Sequence, residues 1–191
     1  MPQSEFNPAR DFLCGVARKR IIFERREVSI NHLAQMPISC WCDQLDHSIS
    51  ISVKFSHHCF TEAFDASRHD RQQIVLYERG GRARIFCPIR HKLSFRLPDI
   101  VKGLPDQRVY QTPQSRNYVY VVPTDISGQT YNIFFMLQRA DGDLFADLRM
   151  TVESAYPSDG SGTRSKRPNS IRFKVLAYKV LRREPVRFAP R

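Results

Sequence analysis

Between Ile49 and Phe55 every second residue is apolar: Ile49, Ile51, Val53 and Phe55 alternate with Ser50, Ser52 and Lys54. Successive side chains on a strand point to opposite faces, so this segment is a strand with one buried face and one polar face. Such a strand needs neighbours for its backbone groups and for its apolar side. The chain supplies them. Gln73–Tyr77 and Ala83–Cys87 are strand-like and flank the turn Glu78–Arg82, where Gly80 and Gly81 give the backbone freedom of a tight hairpin. Val109–Thr112, Tyr118–Val122, Tyr131–Leu137 and Leu144–Val152 follow as a meander, and Ile171–Leu181 reads as a long closing strand. Ile21–Ile30 reads as a strand entering the domain, and Asn31–Trp41 is a short segment broken at Pro37. One helix pattern interrupts the series. Pro88 suits its first turn, Ile89–Phe95 continues it to the stop at Leu97-Pro98, and Pro98–Leu104 adds a further turn. The expected fold is therefore α+β: a mainly antiparallel sheet with one or two short helices and a polar N-terminal arm. The arm is residues 1–20. Residues 21–191 form a single α+β domain, divisible into an N-terminal subdomain 21–82 and a core 83–181.

Thirteen Phe and seven Tyr within a 41% hydrophobic composition are enough to fill a core in 191 residues. The net charge is +11, which favours polyanionic partners because Lys and Arg release counterions from phosphate backbones. The apolar runs, such as Val119–Val122, fall far short of the ~18 residues of a spanning helix, so no membrane association is expected. The N-terminus has no apolar stretch of signal-peptide length. Five Cys without framework spacing then read as reduced thiols in a cytoplasm.

Three constellations carry candidate chemistry. Arg90, His91, Lys92 and Arg96 lie within two helical turns; the cations suit a phosphate, and the imidazole can exchange protons near neutral pH. The same pattern equally describes a solvated basic helix face with a structural His. Glu153, Ser154 and Tyr156 alternate late in a strand, which puts Ser154 and Tyr156 on one face and Glu153 on the other. Their hydroxyls suit phosphate or ribose, and the Tyr156 ring suits stacking on a base, though a tyrosine there also suits the rim of a core. Arg116, Tyr118 and Tyr120, with Tyr110 and Tyr131 nearby, interleave cations and rings as single-stranded RNA platforms do. Aromatics at strand spacing are more often core. The loop Ser158–Asn169, with Arg164, Lys166 and Arg167, reads as a phosphate clamp.

Metal chemistry finds little support in the spacing. Cys40-Trp-Cys42 leaves one intervening residue where structural zinc sites use two to four, and His57-His58-Cys59 would put neighbours on opposite faces if extended. Cys59 near His57 or His58 has no recognisable nucleophile motif. Phosphate loops of the GxxxxGK type, GxGxxG, GxSxG and HExxH are all missing from the sequence. No metal and no other cofactor is expected.

The order Arg90-His91, Leu97-Pro98, strands from Val109 onward, then Ser154-Ala155-Tyr156-Pro157 resembles small ribonucleases of the barnase–EndoU–colicin–RelE superfold over about a third of the chain. The resemblance implies a metal-independent endoribonuclease with a toxin-like or growth-regulating role, and makes 83–181 its nuclease-like core. His91 would be acid or base, Arg90 and Arg96 would bind the scissile phosphate, and Ser154 and Tyr156 would orient ribose or phosphate. Lys92, Arg116, Tyr118, Arg164, Lys166 and Arg167 would bind the rest of the nucleic acid. RNA is the expected partner. The alternatives are a non-catalytic nucleic-acid- or ribosome-binding regulator, or a module that recognises an acidic protein such as an antitoxin.

Overall fold

The computed structural model describes residues 20–111, 118–123, 129–158 and 170–186. The expectations for the N-terminal arm, for Arg116 and for Arg164, Lys166 and Arg167 fall outside those residues. The fold is α+β, as the alternation of strand and helix patterns implies.

A seven-stranded sheet has the order β12-β8-β9-β10-β11-β4-β3. Its members are β3 (Met36–Cys42), β4 (His47–Phe55), β8 (Arg108–Gln111), β9 (Tyr118–Pro123), β10 (Thr130–Arg139), β11 (Leu148–Ser158) and β12 (Ser170–Arg172). Every pairing is antiparallel except β11 with β4, which run parallel. Pro37 is tolerated because β3 is the edge strand, where a missing N–H disrupts no interior ladder. A second sheet has the order β5-β7-β6, from β5 (Thr61–Ala63), β6 (Ile74–Tyr77) and β7 (Ala83–Phe86). The hairpin of β1 (Arg20–Phe23) and β2 (Arg26–Ser29) stands apart. Its turn residues Glu24 and Arg25 have φ of 47° and 61°, the positive pair of a tight hairpin. The segment Ile21–Ile30 is thus two strands rather than one. Reversal at the charged Glu24-Arg25 lets Ile21, Phe23 and Val28 pack together against the small core of Ile30, Phe60 and Phe86.

Three α-helices are described: α1 (Pro88–Ser94), α2 (Leu97–Gly103) and α3 (Phe173–Leu181). They bring Leu93, Leu97, Val101, Phe173, Leu176 and Ala177 to one core shared with the large sheet. The sheet contributes Ile49, Ile51 and Val53 from β4, Tyr131, Ile133 and Phe135 from β10, and Met150 and Val152 from β11. The α3 helix corrects the expected closing strand Ile171–Leu181. Only Ser170–Arg172 pairs, with β8, before the chain turns helical. Phe173, Leu176 and Ala177 are spaced i, i+3, i+4 and bury one helix face, while Val175 and Val180 give the same stretch a strand-like look.

A bulge shapes β11. Ser154 pairs with Phe134, but Val152 pairs with the next residue, Phe135, so Glu153 is the extra residue. Both Val152 and Ala155 thereby reach the core, while the intervening stretch turns outward. Glu153–Tyr156 lies inside this strand, which continues to Ser158.

Candidate functional site

Strand β4 ends at Phe55, and the chain then makes a single 3₁₀ turn over His57–Cys59. Ser56 starts that turn: its hydroxyl accepts from the His58 N–H, and its own N–H donates to the Val152 carbonyl on β11. Cys59 is fully buried, with its thiol toward the same Val152 carbonyl at 3.8 Å. Burial in apolar surroundings pushes that thiol up to about 12, which makes it an inert packing group. The turn projects His57 and His58 the same way, and their ring centroids lie 4.5 Å apart. An extended chain would have separated them, which is the assumption on which the spacing argument against a joint role rested.

Glu78 comes to meet them. It opens the β6–β7 turn, its N–H donating to the Arg82 carbonyl and its carbonyl accepting from the Gly81 N–H. Gly80 and Gly81 both have positive φ, so the turn depends on the two glycines. One carboxylate oxygen, Oε1, accepts from His58 Nε2 at 2.7 Å and from His57 Nε2 at 3.3 Å. Arg84 of β7 places Nε 3.4 Å from the same oxygen. Arg84 is 6% exposed and is held by donating from Nε to Thr61 Oγ1 and from Nη2 to the Thr61 carbonyl. Thr61 Oγ1 in turn donates to the His57 carbonyl. Every member of this cluster has a partner, as buried polar groups require.

The electrostatics follow from crowding. Burial lowers the His58 imidazole to about 4, helped by the Arg84 and His57 charges and opposed by Glu78. Burial also lowers His57 and outweighs the Glu78 hydrogen bond and charge. Both rings are therefore neutral at pH 7. Burial works to raise the Glu78 carboxyl, but the His57 hydrogen bond and the His58 and Arg84 charges outweigh it and hold the group below its ordinary range.

Arg90 links this cluster to the large sheet. Its Nη1 donates to the His58 carbonyl at 3.3 Å and to the Thr61 carbonyl at 2.8 Å. Its guanidinium carbon sits 5.1 Å from the centre of the Tyr156 ring, and Tyr156 stacks with Phe134 at 5.3 Å. Arg90, Tyr156 and Phe134 thus form one contact group, with Ser154 beside Phe134 across the β10–β11 pair.

His91 serves different surroundings. Neighbouring helix positions are about 100° apart, so Arg90 and His91 leave α1 in different directions. His91 Nε2 donates to the Ser29 carbonyl, and its ring meets His32, Phe86 and Phe95 edge-on or tilted. Ser94 donates to the His91 carbonyl, so His32 Nε2 must be the donor to Ser94 Oγ at 2.7 Å. His32 also stacks on Phe95 at 3.9 Å. The contacts of His91 thus lie with β2 and the small core, and those of Tyr156 with Arg90 and Phe134. Lys92 and Arg96 are exposed on α1 and just beyond it. Tyr118 corrects an expectation: it is 8% exposed and packs with Phe135 at 5.7 Å, so it is a core residue rather than a base platform. Tyr131 is likewise fully buried.

The sequence reading missed Glu78, Arg84 and Thr61. Glu78 passed as a turn residue. Arg84 had a usable signal, an arginine inside the otherwise apolar strand Ala83–Phe86, because a charge at such a position is covered only if partners meet it.

No solved structure matches this chain significantly. Protein YjaZ of Escherichia coli (strain K12) is 28% identical to it over 131 residues, which span 68% of this chain and 69% of that protein. The sequence profile of the YjaZ family matches residues 20–181, a stretch that includes both sheets, the His57–His58–Glu78 cluster and the Arg90–Tyr156–Phe134 group, and the chain belongs to that family.

Proposed function

We propose that this protein binds RNA in the cytoplasm as a non-catalytic regulator, with the Arg90–Tyr156–Phe134 group at the centre of the contact. The carrying observation is that group itself: a guanidinium 5.1 Å over one half-buried ring and a second ring stacked on the first. Single-stranded nucleic acids are held by this combination, rings meeting bases while cations meet phosphates. Ser154 adds a hydroxyl on the same strand, and Lys92 and Arg96 add exposed cations on and just beyond the helix that carries Arg90. The net charge of +11 supplies the long-range attraction.

The test is binding of a labelled single-stranded RNA, read with fragment analysis of total RNA in EDTA. Tyr156→Ala should cost about 1–3 kcal/mol of binding, the usual worth of one base–aromatic stack. If about six phosphates are contacted, affinity should fall on the order of a thousandfold between about 50 and 200 mM salt. Unchanged affinity in Tyr156→Ala, or no binding at low salt, rejects the reading. Fragments formed in EDTA and abolished by His91→Ala would replace it with the endoribonuclease.

A further inference from the structure

We propose that His57, His58 and Glu78 form a binding site for one first-row divalent transition metal, with zinc the best fit. One donor atom from each residue lies within 4.8 Å of the other two. His58 Nε2 and His57 Nε2 stand 2.7 and 3.3 Å from the same Glu78 oxygen. Zinc–ligand bonds of about 2.0–2.1 Å place tetrahedral ligands roughly 3.3 Å apart, so the three atoms need only small side-chain movements to take up a metal. Two imidazoles converging on one carboxylate oxygen can each donate a single proton to it. With a metal in place, both rings take the Nδ1–H tautomer and turn the Nε2 lone pair to the ion.

The ligands sit on a prepared frame. His58 is fixed through its N–H on Ser56 and its carbonyl on Arg90, and His57 through its carbonyl on Thr61. Glu78 is fixed by the glycine turn behind it. The two elements are joined independently of the side chains, since the N–H of Phe64, just past β5, donates to the Ala83 carbonyl at the start of β7. A site held this way costs little to organise on binding.

Side-chain exposures of 22% for His57, 35% for His58 and 15% for Glu78 leave the cluster partly accessible to solvent. Two imidazoles, one carboxylate and an open fourth position make the ligand set of a reactive rather than a purely structural zinc site. Imidazole donors disfavour magnesium and calcium, which take oxygen. Arg84 is the cost of the arrangement, a cation 3.4 Å from Glu78 Oε1. Its Nε and Nη2 already donate to Thr61, and Glu78 has a second oxygen to offer it. With Arg84 and Arg90 both close by, the fourth ligand is anionic or a water ionised by the metal. The site does not depend on whether the protein binds RNA.

The experiment uses the full chain, freed of metal and reduced, with zinc added to one equivalent. X-ray absorption at the zinc edge should show only nitrogen and oxygen neighbours, at about 2.0–2.1 Å. Zinc titrations should show one site in the wild type. His58→Ala and Glu78→Gln should each weaken it by more than the roughly 10–100-fold that loss of an outer-shell partner costs. Circular dichroism of the metal-free variants checks folding, and the absorption spectrum of the wild type stands whether or not they fold. A sulfur shell near about 2.3 Å would assign the metal to cysteines and overturn the proposal. So would the lack of any zinc binding by the wild type, or equal zinc affinity in wild type and folded variants.

Discussion

The two sheets bury opposite kinds of chemistry. Between the seven-stranded sheet and the helices lies an almost purely apolar layer, where Ile49, Ile51, Ile133, Phe135, Met150 and Phe173 are all closed to solvent. The three-stranded sheet buries Leu76, Ile85 and Phe86, packs beside Ile30 and Phe60, and in the same region Arg84 and Thr61 are buried and His57, His58 and Glu78 half-buried. Burying a cation such as Arg84 opposes folding unless each of its donors is met. The large sheet therefore carries the stability, and the small one carries a cluster of paired polar and charged groups at some expense to it.

The largest expected effect lies in the apolar layer. Phe135 packs between the rings of Tyr118 and Phe173, and Phe135→Ala should cost about 3–5 kcal/mol in urea unfolding. A loss under about 1 kcal/mol would show that the layer is loosely packed and would undo the contrast. Next comes Arg84→Met, which is similar in length but removes the donors to Thr61 Oγ1 and the Thr61 carbonyl and the cation beside Glu78. It should cost about 1–3 kcal/mol. A double-mutant cycle with Glu78→Gln should show coupling between the two, and additivity would mean that the 3.4 Å contact contributes nothing.

A pH effect sharpens the comparison further. Burial, aided by the charge of His91, lowers His32 to about 4. Between about pH 6.5 and 4 the unfolded chain takes up a proton at His32 that the folded protein refuses. Stability should consequently fall as pH drops through that window, and His32→Asn should remove part of the slope in thermal melts. An unchanged slope would put the acid sensitivity wholly in His57 and His58, which are lowered in the same sense. The smallest effect is expected at Phe145, 90% exposed in the β10–β11 connection, where Phe145→Ser should stay within about 0.5 kcal/mol of wild type.

Periodicity made the large sheet legible. Ile49, Ile51, Val53 and Phe55 point to the core as their alternation implies, and the glycine turn at Gly80-Gly81 closes the hairpin it suggested. Periodicity failed where two periods coincide, as in Phe173–Leu181, whose valines suit a strand while its buried residues suit a helix. The cluster was hidden for another reason. His58 and Glu78 are twenty positions apart, and a 3₁₀ turn rather than any spacing rule aims the two imidazoles together. Arg90 and Tyr156 were legible as residue types. The family resemblance put both at one phosphate, while the direct contact of guanidinium and ring depends on the β11 bulge and on where α1 docks.

The one parallel pairing among the described residues, β4 beside β11, has a consequence for how the chain reaches its fold. Ser50 donates to Asp147 from both its N–H and its hydroxyl, across 97 positions of sequence. In the same sheet β3 with β4 and β10 with β11 are neighbours in sequence, while β12 with β8 is a second distant pairing. The β3–β4 hairpin can form early, but the other edge of β4 stays unpaired until β11 has been synthesised and can pair with it. Contacts this distant in sequence slow folding, because the loop between them must lose its freedom before they are made. Docking of β11 on β4 is then expected to be one of the slow steps of folding. Substitutions that weaken the Asp147–Ser50 link should slow refolding more than they speed unfolding, and until β11 docks the unpaired edge of β4 is where the nascent chain is open to edge-to-edge aggregation.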